Sequence, residues 1–234
     1  MKILERQFID VSQYNKERKV FFIRIDPESL SISIQEILSE LRITSWLNKF
    51  NFEPLREAYR LRAKNTCDYL EKKLQDKNDL SKLKETTGEY VVSNLSKKSL
   101  VENLQHTDIP LMELLGRKKS NNPGFDFYTE KDSLIVAGEA KYKTNQNAYN
   151  SSLKQINEFI QEKKHIQDIP LLMPFVAPES LVNLNNSRFF VCAAFSSTDK
   201  QTSDLISNIL DNTHFKKCLE QFDIFLVAVD MYGE

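Results

Sequence analysis

Asp126, Glu139 and Lys141 are ionisable side chains set in runs that otherwise read as core, "GFDFY" and "LIVAGEAKY". Charges in apolar surroundings are costly unless they are paired or hold a ligand. Glu139 and Lys141 are two residues apart, so on a strand they share a face, while Ala140 points into the opposite layer. A hairpin turn centred on Lys131 and Asp132 sets Asp126 opposite about Ala137, on that same face. Two carboxylates a few ångströms apart repel each other, and a divalent cation relieves the repulsion. Carboxylate oxygens, water and a backbone carbonyl, here that of Ala140, form the hard oxygen shell that Mg²⁺ or Mn²⁺ takes. A lysine beside such an ion orients or deprotonates a water, or neutralises charge developing on phosphorus. The set suits metal-assisted phosphodiester hydrolysis. The plain alternative is a Glu139–Lys141 ion pair along one strand, worth little if exposed.

Such a set needs a scaffold, and the surrounding pattern is that of an α/β fold with a central mixed β-sheet flanked by helices. Strands are expected at about Phe125–Tyr128 and Leu134–Tyr142, with "TEKDS" as the turn between them. "RFFVCAAFS" and "DIFLVAVDMY" are nearly continuous apolar runs, as strands buried on both faces should be. "SDLISNILDNTHFKKCLEQF" between them is helical, which gives a parallel crossover. "TTGEYVVSNLSKKSLVENL" reads as a helix opened by Thr86 or Thr87, and "NSSLKQINEFIQEKKH" as another with Leu153, Ile156 and Ile160 inward. Upstream, "KVFFIRI" is a strand, and helical patterns follow through "SISIQEILSEL" and "FEPLREAYRLRAKNTCDYLEKKLQ". "DKNDLSK" breaks the pattern, which divides the chain into a mixed extension over residues 1–80, regulatory or partner-docking, and a site-bearing domain over 81–234.

Bulk properties narrow the classes. Hydrophobic residues make up 41% and charged residues 28%, the balance of an ordinary globular chain rather than a disordered one. The net charge of −1 means that any nucleic-acid-binding surface is local. Cys67, Cys192 and Cys218 are far apart, which argues against disulfides and zinc; a reduced, cytoplasmic setting without a membrane span is expected. Arg117, Lys118 and Lys119, in "GRKKSNN", together with Lys143 could form a basic rim that holds DNA phosphates without reading bases. A solvated loop is the alternative.

An aspartate, a hairpin and then "EAK", preceded by a glutamate-bearing helix, resemble the PD-(D/E)xK nuclease superfamily. Asp126 matches the family's aspartate, and Glu139 and Lys141 match its ExK pair. The literal "PD" is absent, because Gly124 and Phe125 precede Asp126 and Pro123 is displaced. Glu89, in "TTGEYVV", resembles the acidic residue the family often carries on the helix before the hairpin. Glu85 competes for that role, and either could simply be a first-turn glutamate favoured by the helix dipole. Gln155, in "SLKQINEFI", sits where some branches place a glutamine. The resemblance covers roughly Glu85 to Ile160. It implies a Mg²⁺- or Mn²⁺-dependent deoxyribonuclease with Asp126, Glu139, Glu89 and the Ala140 carbonyl at the metal. The wording "GFDF…GEAKY" further resembles the nuclease subunits of Hachiman-type bacterial phage-defence systems, which implies a helicase partner that restrains the enzyme. Two other readings stand beside it, a stand-alone restriction endonuclease and a non-catalytic nucleic-acid-binding subunit that keeps the fold.

Overall fold

A computed structural model describes residues 1–75, 85–116, 124–144, 146–199 and 201–231, with the backbone alone for 73–75 and 85–87. Along the chain run β1 (Lys2–Ile9), β2 (Val20–Asp26), α1 (Leu30–Leu41), α2 (Glu53–Gln75), α3 (Glu85–Leu104), β3 (Thr107–Asp108) and α4 (Met112–Leu115). The hairpin strands β4 (Phe127–Lys131) and β5 (Leu134–Lys141) follow, then α5 (Tyr149–Gln161), α6 (Lys164–Gln167), α7 (Ile169–Leu172) and α8 (Pro178–Asn185). The chain closes with β6 (Phe190–Ser197), α9 (Thr202–Leu210), α10 (Thr213–Leu219) and β7 (Ile224–Asp230).

The strands form one mixed sheet of seven in the order β1-β2-β7-β6-β5-β4-β3. The four central strands, β2, β7, β6 and β5, are parallel, and β1, β4 and β3 run antiparallel to their neighbours. The α/β architecture read from the apolar runs is therefore the fold, and β6–α9–α10–β7 is the expected parallel crossover. Side chains alternate between two cores, as the period of a strand demands. Ile135, Ala137, Val191, Ala193 and Phe195 pack against Leu153 and Ile156 of α5, Leu205 and Ile209 of α9 and Phe215 of α10. Val136, Ala140, Cys192, Ala194 and Val227 pack against Ile37, Leu70, Val91, Val92 and Leu95 of α1, α2 and α3.

Several elements depart from the sequence reading. The edge strand β1 escapes it because its faces alternate too little in polarity, "KILERQFI" being mostly half-exposed or exposed. The segment after α5 breaks into three short helices, two of them opened by Pro170 and Pro178, where a missing N–H does no harm. α3 starts at Glu85, ahead of Thr86 and Thr87. The expected boundary "DKNDLSK" lies outside the described residues, but the strands on its N-terminal side belong to the same sheet as the rest. All three cysteines are free and buried. No helix among the described residues is long and apolar enough to cross a membrane.

β2 is tied to β7 by a buried ion pair. Arg24 on β2 donates from Nε to both carboxylate oxygens of Asp230 on β7, at 3.0 and 3.1 Å, and each side chain is only 5% exposed. Its other nitrogens reach Thr202 Oγ1 at 3.1 Å and the Asp199 carbonyl. Arg24→Met removes the cation and leaves Asp230 buried, a loss of about 3–5 kcal/mol. Urea denaturation should show the whole transition, N-terminal strands included, moving together to lower denaturant.

Candidate active site

The β4–β5 hairpin turns through Asp132 and Ser133, whose φ values of 51° and 61° give the primed type of two-residue turn that matches strand twist. "TEK" thus belongs to β4 rather than to the turn. Tyr128 pairs with Ala137 and Phe127 with Gly138. Asp126 therefore stands opposite Glu139, not Ala137, just past the end of β4. The expected register is two residues out, and because the strand period is two, the face is unchanged.

Asp126 is held on three sides. Its N–H donates to the Gly138 carbonyl at 2.9 Å, and its own carbonyl accepts from the Met112 N–H of α4 at 3.1 Å. The Ala140 N–H donates to Asp126 Oδ2 at 2.8 Å. In a strand a residue's N–H and carbonyl leave on the same side, so the Ala140 carbonyl also faces the edge where Asp126 lies.

Glu139 is buried, only 1% exposed. Its Oε1 lies 2.9 Å from the Lys141 ammonium, while Oε2 is buried without a hydrogen-bond partner. Burial, and then the nearby Asp126 charge, push the Glu139 carboxyl well above the usual carboxylate range, with Lys141 opposing in part. Burial alone would lower the Lys141 ammonium, but Glu139, Glu89 and Asp126 outweigh it and hold it above its ordinary value. Lys141 thus stays charged, and Glu139 is the group whose ionisation the surroundings resist.

Glu89 completes the group at 3.0 Å from Lys141 Nζ. α3 brings it there because Gly88 lets the helix lie against the Tyr142 ring, where any Cβ at position 88 would overlap that ring. On the other side of the sheet, Ser152 of α5 donates to the Glu139 carbonyl at 2.8 Å. Asp126, Glu139, Ala140, Lys141 and Glu89 are therefore brought together as the sequence reading requires. Gln155, half-buried on α5 a turn beyond Ser152, and Lys143, whose backbone bonds Ser196 Oγ, stand beside the group without a hydrogen bond to it among the described residues. Arg117, Lys118 and Lys119 lie outside the described residues, as does the side chain of Glu85.

The sequence reading missed a further pair on the same face. The Tyr128 hydroxyl donates to Asp168 Oδ2 at 2.7 Å, 40 residues away in the chain. Burial raises the Asp168 carboxyl to about 6 despite that bond. Burial, then the charges of Asp168 and Glu139, push the Tyr128 phenol well up. Nothing local in "IQDIPLL" signals this partnership, which comes from tertiary packing alone.

Among the described residues no group of three or more His, Cys, Asp or Glu side chains is gathered as a metal-binding cluster; the Lys141 ammonium lies between Glu139 and Glu89. The donor set nevertheless fits a hard cation, because the orphan Glu139 Oε2 is an acceptor in want of positive charge. Comparison with family models, with curated proteins and with solved structures yields no match.

Gly88→Ala should destabilise the fold by about 1–3 kcal/mol through overlap with Tyr142. A double-mutant cycle with Tyr142→Ala should recover part of that loss, since the two residues touch. Asp168 has a folded pKa of about 6 against about 3.9 when unfolded, so its contribution is fully present below pH 4 and is lost as pH rises through 6. Asp168→Asn should therefore be more stable than wild type at pH 8, by on the order of 1–2 kcal/mol, with no gain at pH 4, as read from urea midpoints.

Proposed function

We propose that the chain is a divalent-metal-dependent nuclease that hydrolyses phosphodiester bonds at the end of the β4–β5 hairpin. The observation that carries this reading is Glu139: a buried carboxylate beside a second carboxylate, with one oxygen left without a partner. A purely structural glutamate would normally have that oxygen satisfied, since an unmet buried acceptor costs about 1–3 kcal/mol.

Glu139 and Asp126, with Glu89 and the Ala140 carbonyl, would hold Mg²⁺ or Mn²⁺. The ion would supply a Lewis acid for the phosphate and lower the pKa of a bound water. Asp126 is fixed in place by the Ala140 amide, which holds its carboxylate at the end of the hairpin. Lys141, kept protonated by its carboxylate neighbours, is suited to donate to charge developing on the phosphate rather than to take a proton from water. DNA as substrate, restraint by a helicase partner and a role in phage defence rest on the resemblance of "GFDF…GEAKY" and "TTGEYVV".

A second reading is favoured by the ion pairs themselves. Glu89–Lys141–Glu139 could be a structural triad that only locks α3 to the hairpin, as in a non-catalytic subunit. Supercoiled plasmid and single-stranded DNA incubated with Mg²⁺ or Mn²⁺ separate the two. The nuclease reading predicts metal-dependent cutting that falls by a factor of a hundred or more in Glu139→Gln, whose thermal midpoint should be little changed, and likewise in Lys141→Met. Wild-type protein, with and without an added helicase partner and ATP, that cuts neither substrate would leave the structural triad.

A further inference from the structure

β1 is the long open edge of the sheet. At the opposite edge β3 has only two residues, whereas β1 pairs with β2 along its inner side from Lys2 to Ile9. Among the described residues no backbone group of residues 3–9 is bonded except to β2. In an antiparallel ladder half of a strand's N–H and carbonyl groups point away from its partner, so β1 presents a row of them outward. Beside this row stands Phe8, 70% exposed and the most exposed large hydrophobic side chain among the described residues. It rests on the Phe21 ring at 4.9 Å. A bare edge carrying an exposed aromatic is a template for another strand.

We propose that β1 pairs with β1 of a second copy of this chain, antiparallel about a twofold axis through Gln7, joining the two sheets into one. A bulge at Leu4 interrupts the β1 ladder, so its regular stretch is Glu5–Ile9, and the midpoint of that stretch is Gln7. A twofold centred there sets Glu5 opposite the second copy's Ile9, Arg6 opposite its Phe8 and Gln7 opposite its Gln7. Centring the axis on Glu5 or on Arg6 would instead face like charges directly, which is destabilising. Arg6 and Phe8 share the α1 and α3 side of the sheet, since they pair with Ile23 and Phe21. Arg6 is exposed and makes no ion pair among the described residues, so each guanidinium is free to meet the other copy's Phe8 ring, a cation–π contact made twice. On the other face Gln7 Nε2 donates to Glu5 Oε1 at 2.7 Å. The second copy's Gln7 falls diagonal to that carboxylate, within reach of a long side chain. The shortness of β3 disfavours head-to-tail growth from β1 onto the opposite edge, so pairing stops at two chains. The proposal does not depend on the chemistry assigned to the hairpin.

Sedimentation of the full chain from low to high micromolar concentration should show a monomer–dimer equilibrium. Phe8→Lys removes both ring contacts and should weaken the dimer about tenfold or more. Because Phe8 is largely exposed, that variant should keep its thermal midpoint within a few degrees of wild type. Gln7→Cys places a thiol at the axis, while the three native cysteines are buried. Directly opposed residues of an antiparallel pair lie about 4.5–5.5 Å apart at Cα, within disulfide range. Under mild oxidation Gln7→Cys should therefore form a reducible dimer about tenfold or more faster than Lys2→Cys, an exposed position that the same register sets far from its counterpart. The proposal is overturned if the chain sediments as a monomer throughout, if the dimer survives Phe8→Lys undiminished, or if Gln7→Cys cross-links no faster than Lys2→Cys.

Discussion

A carboxylate sunk in a β-sheet is the constraint on which the rest of the arrangement depends. Glu139 sits within a strand whose neighbours are apolar and nearly inaccessible, and it faces a second carboxylate from the end of the adjoining strand. Dehydration and like charge both act against its ionised form, and only the ammonium two residues along offsets them. Under the proposed function, a bound cation would relieve that imbalance.

The surrounding fold keeps the imbalance from relaxing. Swinging Asp126 away would cost the Ala140 amide its acceptor, and its backbone is fixed by Gly138 and Met112. Lys141 is held from the α3 side by Glu89, which arrives because Gly88 and the Tyr142 ring allow close packing. On the opposite face the Ser152 hydroxyl fixes the Glu139 carbonyl. Helices on both faces of the sheet are therefore tied to one hairpin. The Arg24–Asp230 pair extends that rigidity to the first two strands, so the N-terminal part is built into the scaffold that carries the site.

Much of this was legible in the sequence, for identifiable physical reasons. Period-two alternation alone put Glu139 and Lys141 on one face, and it survived an error of two in the hairpin register because such an error does not change parity. Continuous apolar runs marked β6 and β7 as buried parallel strands. What was illegible depended on long-range packing. The Tyr128–Asp168 pair and the Gly88–Tyr142 contact join residues with no local pattern in common. β1 was missed because an edge strand exposed along most of its length lacks the contrast that makes a strand readable.

The central claim, that Glu139 is a carboxylate held out of balance in readiness for a cation, is tested most directly by carboxyl-carbon NMR. The Glu139 resonance would be followed through a pH titration with and without Mg²⁺. The account predicts an apparent pKa well above the ordinary value of about 4.3 in the absence of Mg²⁺, brought down when the ion is added. Ordinary titration near that value, unchanged by Mg²⁺, would contradict it.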